Sequence, residues 1–453
     1  MAYNYEHGPV VNPNAPEDSL EAKRPYVDNG TDVVSPDRYY SPEFMAKEWE
    51  RMWPRVWLIA GPRTDLREPG DYFVFNVGPE SFVITLDDNH VVRAHYNVCP
   101  HRGNQLVLNE RGSVPRFTCS FHSWSFELDG QLNSITDEDS FRPEVLCPRP
   151  QLSSVRCEEH AGLIWINMDG KAPPLKEYIG LPEGYLESYR IEDMFAVRHV
   201  SSEWAANWKN GIDAFYESYH LHAVHPQTST VMDDLGVQYD LYPNGASRMI
   251  VPIGKKSPRV PDQESVDAGL EFMIRDAGAD PTQYEGSAIG VREFIQRSKR
   301  VRAEKLGLDY SELSDAQLTD SWATGIFPNV QIGLHPEGAF LMRFLPHESD
   351  PNRFYYDTIT LFRPADDPSY TVPAWMGLPE GMDTSGETRP DTEHVGIGEP
   401  AGLGLVLDQD SELLPVVQKG MRSRGFRGPL WGEQEVRIRH FHKELDRYIN
   451  GEK

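Results

Sequence analysis

Four cysteines, at 99, 119, 147 and 157, are too few to staple a chain of 453 residues. A disulfide scaffold is excluded, and the thiols are left as buried groups or metal ligands. Basic residues are also in deficit: 44 Lys and Arg stand against 70 Asp and Glu, a formal charge of −26. That balance repels polyanions, so neither nucleic acid nor an anionic membrane is an expected partner. No apolar run approaches the roughly 20 residues that cross a bilayer. The opening MAYNYEHGPVVNPNAPEDSL lacks the basic-then-apolar order of a signal peptide, so a cytoplasmic protein is expected. With 39% hydrophobic and 25% charged residues the composition is that of folded domains.

The first forty residues are rich in Pro, Asn and Asp and read as an arm over the surface or a neighbouring subunit. Ser41 and Pro42 then have the chemistry of a helix N-cap and first turn, with Phe44, Met45, Trp49 and Trp53 at helical spacing. From Val56 the texture becomes short β-type runs, VWLIAG, DYFVFNV, SFVITL, HVVRAHYNV and GLIWINM. GKAPPLKEY makes a boundary near residue 170. Residues 202–225 read as one helix carrying Trp204, Trp208, Ile212, Phe215 and Tyr219, and 255–320 as charged and partly helical. NVQIGL, AFLMRFL and FYYDTITLF suggest an antiparallel meander, 364–400 a long loop or lid, and 403–422 and 431–449 two closing helices.

Chemistry concentrates in two places. Cys99-Pro-His101-Arg-Gly and Cys119-Ser-Phe-His122 give C-x-H and C-x2-H on loops between strands. Two thiolates and two imidazoles suit either one tetrahedral zinc or a [2Fe-2S] cluster with cysteines on one iron and histidines on the other. Zinc sites usually draw Cys pairs and His pairs from separate stretches, whereas each loop here supplies one of each, which is the Rieske arrangement. Imidazole ligation raises such a cluster to roughly −150 to +300 mV, against about −400 mV for all-Cys plant-type clusters. A cluster of that potential needs an electron acceptor. Cys147 and Cys157 have no His at ligand spacing and read as inert core thiols.

The acceptor candidate is the stretch Asn207 to Pro226, with Asp213, Glu217, His220, His222 and His225. In an unbroken helix, at about 100° per residue, Glu217 and His220 share a face but His220 and His225 diverge. Pro226 biases His225 out of helical dihedrals and allows them to converge. Two histidines plus a distant carboxylate make the facial triad of non-haem Fe(II) oxygenases. His222 would point elsewhere and reads as surface or supporting.

These residues together resemble the large (α) subunit of Rieske non-haem iron oxygenases, the family of aromatic ring-hydroxylating dioxygenases. The resemblance rests on Cys99 to Gly103, Cys119 to Trp124, Asn207 to Lys209 and Glu217 to His225. It implies an α+β chain, with an all-β Rieske [2Fe-2S] domain (55–170) inserted into a helix-grip catalytic domain (1–54 and 171–453). It implies Cys99, His101, Cys119 and His122 on the cluster, and His220, His225 and a late carboxylate, Asp410 or its neighbour Asp408, on one Fe(II). It further implies a head-to-tail homotrimer, with or without a small β subunit. Glu217 would be the acid joining His220 to His122 of the next subunit, and Asn207 and Asp213 would be catalytic companions.

The implied activity is hydroxylation, foremost dihydroxylation, of an aromatic or hydrophobic substrate with O2. Many ring-hydroxylating members carry Asp at the bridge, whereas Glu is familiar among members acting on quaternary amines such as carnitine and betaines, which makes a monooxygenase or demethylase of that kind the alternative. Phe327, Phe340, Met342, Phe344, Tyr355, Tyr356 and Phe362 read either as core or as pocket lining. Ser120 and Ser123 replace the Pro and Gly common around the second loop and bring hydroxyls near cluster sulfur. The sequence holds no all-Cys ferredoxin spacing, and GIGEPA lacks the preceding strand of a dinucleotide fingerprint. Electrons are therefore expected from a separate ferredoxin and/or flavin reductase. A pure Rieske electron carrier, or a helix-grip binding module with structural zinc, are the rival classes.

Overall fold

The computed structural model describes residues 8–365, 367, 370 and 372–453. The start of the expected arm (1–7), with the opening of the stretch read for a leader, and residues 366, 368, 369 and 371 of the expected lid lie outside these. All five expected β runs form strands, which fall in two small sheets; a third small sheet is built from strands outside the expected runs. Leu58–Pro62, Leu163–Asn167 and Arg156–His160 make one, and Val92–Tyr96, Glu80–Leu86, Asp71–Val77 and Arg111–Ser113 a second. Phe117–Thr118, Ser125–Phe126 and Leu132–Ser134 make the third.

This β unit is an insertion between two parts of one larger body. Ser41 accepts a hydrogen bond from the Phe44 N–H at 3.2 Å and starts helix Pro42–Arg51. That helix packs on the last helix, Val436–Ile449: Arg51 donates to the Ile449 carbonyl at 2.6 Å. Glu48 meets the fully buried Lys209 at 2.6 Å. The arm lies on its own chain, where the Arg24 N–H donates to Asp240 at 2.7 Å and the Val11 N–H to Gln238 at 3.0 Å.

The larger body is built on an eight-stranded sheet. Its order is Gln238–Leu241, Ser247–Val251, Ser321–Ile326, Val330–His335, Gly338–Pro346, Phe354–Phe362, Phe195–Trp204 and Thr392–Val395. Neighbours are antiparallel except the last pair, which is parallel. Helix Val436–Ile449 lays Ile438, Phe441 and Leu445 into the core, and Phe441 meets the rings of Trp208, Tyr216 and Phe327. The architecture is α+β, as the sequence suggested, and no helix among the described residues is long and apolar enough to cross a membrane.

Three expectations are corrected. Residues 202–225 are not one helix: Trp204 ends a strand, the helix runs Trp208–Phe215, and a second, one-turn helix spans Leu221–Val224. The helical spacing holds for Trp208, Ile212 and Phe215, but Trp204 belongs to the strand before them, as its nine-residue pairing with Phe354–Phe362 shows. The 364–400 segment is not all loop, since Thr392–Val395 adds an edge strand. Cys147 is exposed rather than core, while Cys157 is half-buried with its thiol pushed up to about 12 by burial.

Candidate metal centres

Two loops of the same closed shape carry the first group. The Cys99 N–H donates to Asn104 O at 2.8 Å and the Gly103 N–H to Cys99 O at 3.0 Å. In the second loop Cys119 N–H reaches Trp124 O and Ser123 N–H reaches Cys119 O, both at 2.9 Å. The fifth residue of each loop must take a left-handed conformation, Gly103 with φ +76° and Ser123 with φ +58°. Glycine does this freely, whereas serine carries a cost of about 1–2 kcal/mol.

The two cysteines are adjacent and buried. Burial pushes Cys99 up. At Cys119 burial is outweighed by the N–H groups of Phe121 and His122, by Cys99 and by the Asn104 amide, and the thiol is lowered. Asn104 Nδ2 stands 3.6 Å from Cys119 Sγ and 3.2 Å from Ser120 Oγ. The amide of Asn104 is thus a donor beside the sulfur that the sequence reading missed, next to the Ser120 hydroxyl. His101 and His122 lie with ring centroids 4.6 Å apart, and His101 stacks on Trp124 at 4.6 Å and 7°. His122 Nδ1 is sealed from solvent with no hydrogen-bond partner. An orphaned imidazole nitrogen costs free energy unless something coordinates it, so the donor set fits the proposed cluster: two soft sulfurs opposite two imidazoles.

The second group assembles from two distant parts of the chain. His220, His225 and Asp410 each place one ligand atom within 4.8 Å of the others, the one such trio of His, Cys, Asp and Glu among the described residues. The imidazole rings of His220 and His225 have centroids 5.1 Å apart. His225 Nε2 is 3.2 Å and His220 Nε2 4.0 Å from Asp410 Oδ1. His225, at φ −120° and ψ 54°, leaves helical dihedrals immediately before Pro226, as expected. His225 Nε2 is a second sealed nitrogen without a hydrogen-bond partner. Two imidazoles and a carboxylate converging on such an atom fit a divalent metal, Fe(II) included.

Each histidine is oriented through its other nitrogen. His220 Nδ1 donates to Glu217 Oε1 at 2.5 Å, and the His220 backbone N–H to Oε2 at 3.0 Å. Burial would lower His220, but Glu217 outweighs it and the imidazole is raised. The pair meets across a turn, since the helix has ended at Phe215. His225 Nδ1 donates to Gln409 Oε1 at 2.7 Å, which also accepts from Gln227 Nε2 at 2.8 Å. Gln409 and Gln227 were not foreseen; the adjacency of Gln409 to Asp410 was the only signal.

Asp408 is not part of the trio, and His222 is exposed against Tyr219. Among the described residues neither Asn207 nor Asp213 hydrogen-bonds a member of the trio. Asn207 caps helix Trp208–Phe215, accepting from Lys209 N–H at 3.0 Å and donating to Pro351 O at 2.6 Å. Asp213 accepts from the Tyr39 hydroxyl at 2.5 Å and His442 Nε2 at 3.0 Å. Of the candidate pocket residues, Phe327, Met342, Phe344, Tyr356 and Phe362 are buried core, and Phe340 and Tyr355 are half-buried. Tyr356 is the one among them that feels Asp410: burial and then that carboxylate push its phenol well up, and its hydroxyl is sealed without a partner.

Comparison with known proteins agrees with this geometry. Residues 56–157 match the Rieske [2Fe-2S] domain family and residues 191–451 the catalytic domain of the ring hydroxylating alpha subunit. The carnitine monooxygenase oxygenase subunit of Escherichia coli (strain K12) is 33% identical over 216 residues, 46% of this chain and 54% of that protein. The glycine betaine monooxygenase oxygenase subunit of Pseudomonas aeruginosa (strain UCBPP-PA14) is 27% identical over 180 residues, 40% of this chain and 42% of that one. These matches span about half the length of the curated relatives. A solved quaternary ammonium Rieske monooxygenase, bound to an inhibitor, shares the fold with a TM-score of 0.64 and 20% identity, over 96% of this chain and 98% of that one. With both family domains matched in order and a His-His-Asp trio inside the second, the chain belongs to the Rieske ring-hydroxylating oxygenase α subunits.

Proposed function

We propose that this protein is the terminal oxygenase of a multicomponent system, acting with O2 on a small quaternary amine of the betaine type. The observation that carries the reading is Glu217, a buried carboxylate held on His220 Nδ1 at 2.5 Å. A glutamate there suits the quaternary-amine members, and the relatives named for carnitine and glycine betaine support the same choice. The first expectation, dihydroxylation of an aromatic compound, yields to this alternative.

A cluster held by Cys99, Cys119, His101 and His122 would supply single electrons, and iron held by His220, His225 and Asp410 would supply O2 activation at its open positions. The chain's own groups do the rest. Glu217 and Gln409 each accept a hydrogen bond from an Nδ1–H, which leaves both Nε2 lone pairs facing Asp410. Tyr356, packed among the rings of Trp204, Phe215 and Phe344, lies close enough to Asp410 to feel its charge.

The tip bearing the cluster loops exposes Leu108 and Phe121, at 72% and 53%, and Tyr219 beside Glu217 is 53% exposed. Apolar surface at both places supports a head-to-tail trimer in which one protomer's tip meets its neighbour's Glu217. One solved relative is described with inter-subunit electron transfer. Electrons are to come from a separate reductase or ferredoxin.

The test is O2 uptake by the holoprotein with a matched reductase. Carnitine or glycine betaine is expected to drive uptake, and biphenyl is not; the reverse would overturn the substrate class. Glu217→Gln is expected to keep both metals bound and to lower coupled turnover by at least a hundredfold. Unimpaired turnover would refute the bridge.

A further inference from the structure

A cleft of about 710 Å3 runs between the second Rieske sheet and the catalytic sheet, a volume ordinary for a small-molecule site. None of the seven residues proposed as ligands of the two centres lines it: Cys99, His101, Cys119, His122, His220, His225 and Asp410 are all elsewhere. Strand Asp71–Val77 gives one wall, with the rings of Phe73 and Phe75; Leu345 and Tyr355 face from the other side.

Three arginines line the cleft, and they are not equivalent. Arg343 is engaged at all three nitrogens: it donates to Asp357 Oδ1 at 2.8 and 2.6 Å and to the carbonyls of Ile59 and Ala60. Arg389 is engaged at all three nitrogens, through Asp65 at 2.7 Å, Pro390 O at 3.0 Å and His199 at 3.3 Å. The Arg111 side chain alone makes no hydrogen bond to any described residue. Its nearest carboxylate, Asp65, is 4.0 Å away and already bonded to Arg389, and its Nε is sealed without a partner. Burial and the charge of Arg389 both disfavour the Arg111 cation; Asp65, Glu110 and Asp391 oppose them. Glu110 is itself turned to His394, at 2.5 Å. A half-buried guanidinium with an unused donor fork, beside apolar rings, is the chemistry that receives a carboxylate.

We propose that this cleft is a second ligand site, distinct from the iron trio, which takes a monocarboxylate with an apolar or aromatic body, its carboxylate on Arg111. The remaining charges set the selectivity. Glu80 and Glu348 also line the cleft, and they repel a second negative charge, so phosphate and dicarboxylates are excluded by like-charge repulsion. Phe73, Phe75 and Tyr355 cover the body of the ligand.

Calorimetric titration of the holoprotein with benzoate tests this, with benzamide and inorganic phosphate as controls. Benzoate is expected to bind, and benzamide, isosteric but uncharged, and phosphate at least tenfold more weakly. Arg111→Gln is expected to weaken benzoate at least tenfold, and Arg111→Lys, which keeps the charge and loses the fork, to fall between. Asp410→Asn is expected to leave benzoate binding unchanged. No benzoate binding, equal binding of benzamide, equal binding by Arg111→Gln, or loss on Asp410→Asn with retention on Arg111→Gln would each overturn the site. Should Arg111→Gln not fold, the Lys variant and the benzoate-to-benzamide ratio on the unmodified protein still decide.

Discussion

Replacing Gln409 by leucine removes the acceptor that fixes the tautomer of His225 without touching any of the three proposed iron ligands. The bond removed is short, 2.7 Å, and the His225 ring is fully buried, so no solvent replaces it. Leaving a buried N–H unsatisfied costs about 1–3 kcal/mol. With the metal bound the same loss falls on affinity, because the acceptor keeps the proton on Nδ1 and the lone pair on Nε2; such outer partners are worth about 10–100-fold, or roughly 1.4–2.7 kcal/mol. The two routes agree in size. Gln227 also loses its acceptor, but it is exposed and water substitutes. The assay is competition for Fe(II) with a chromophoric chelator, with the cluster's visible absorption as the control for folding. Iron affinity is expected to fall at least tenfold with the absorption intact, and Gln409→Glu, which keeps an acceptor, to retain it. Affinity within twofold of the unmodified protein would refute the assignment of Gln409 to the metal centre.

Asp410→Asn is expected to lower iron from three to two per chain and Asp408→Asn to leave it at three, read by metal analysis; these counts follow from one two-iron cluster and one mononuclear site. Asn207→Ala loses both the cap on Lys209 N–H and the bond to Pro351, and is expected to cost about 1–2 kcal/mol in a denaturant titration. Asp357→Asn leaves Arg343 and His199 buried without their shared carboxylate, at a cost of about 3–5 kcal/mol near pH 7. Burial alone would raise Asp357, but Arg343 and His199 outweigh it and hold the carboxyl well below the usual range. A depressed folded value means that the contribution is complete above the ordinary carboxylate value of about 4 and fades as pH falls below it. The stability gap between the two proteins should therefore narrow from pH 7 to pH 3, and a gap unchanged with pH would show that the pair is not the cause.

Local patterns carried most of the fold that the sequence revealed. The Rieske strands were legible because alternation and turn residues are written within each run, and the two metal loops because Cys and His are only a few residues apart. The stretch around Trp204 was not. The strand is buried without a break from Ala196 to Val200 and alternates only over its last four residues, too few to read, and its partners lie about 150 residues further on, at Phe354–Phe362. The break after Phe215 was equally hidden. Ser218 Oγ bonds the Tyr239 hydroxyl at 2.5 Å, and Glu217 turns back onto the His220 N–H. Side chains that bond backbone and neighbours in this way end helices, and the partner here comes from another strand.

The carboxylate side of the iron centre shows why periodicity alone could not choose between Asp408 and Asp410. Two residues apart on helix Leu405–Met421, they point about 200° away from each other, so only one can face the histidines. The inward face carries Asp410, Leu414, Gln418 and Met421, of which two are polar, while Leu405, Leu413 and Val416 are exposed. Reading the apolar residues as the buried face would have turned the helix the wrong way. The inversion has a physical reason at each face. Inside, Asp410 stands against His225, and Gln418 accepts from the Asn207 N–H and donates to Tyr39 O, so polarity there is satisfied rather than penalised. Outside, an apolar stripe on the helix that positions Asp410 is the surface a neighbouring protomer would cover in the proposed trimer. The same helix would then join the proposed iron site to the subunit contact.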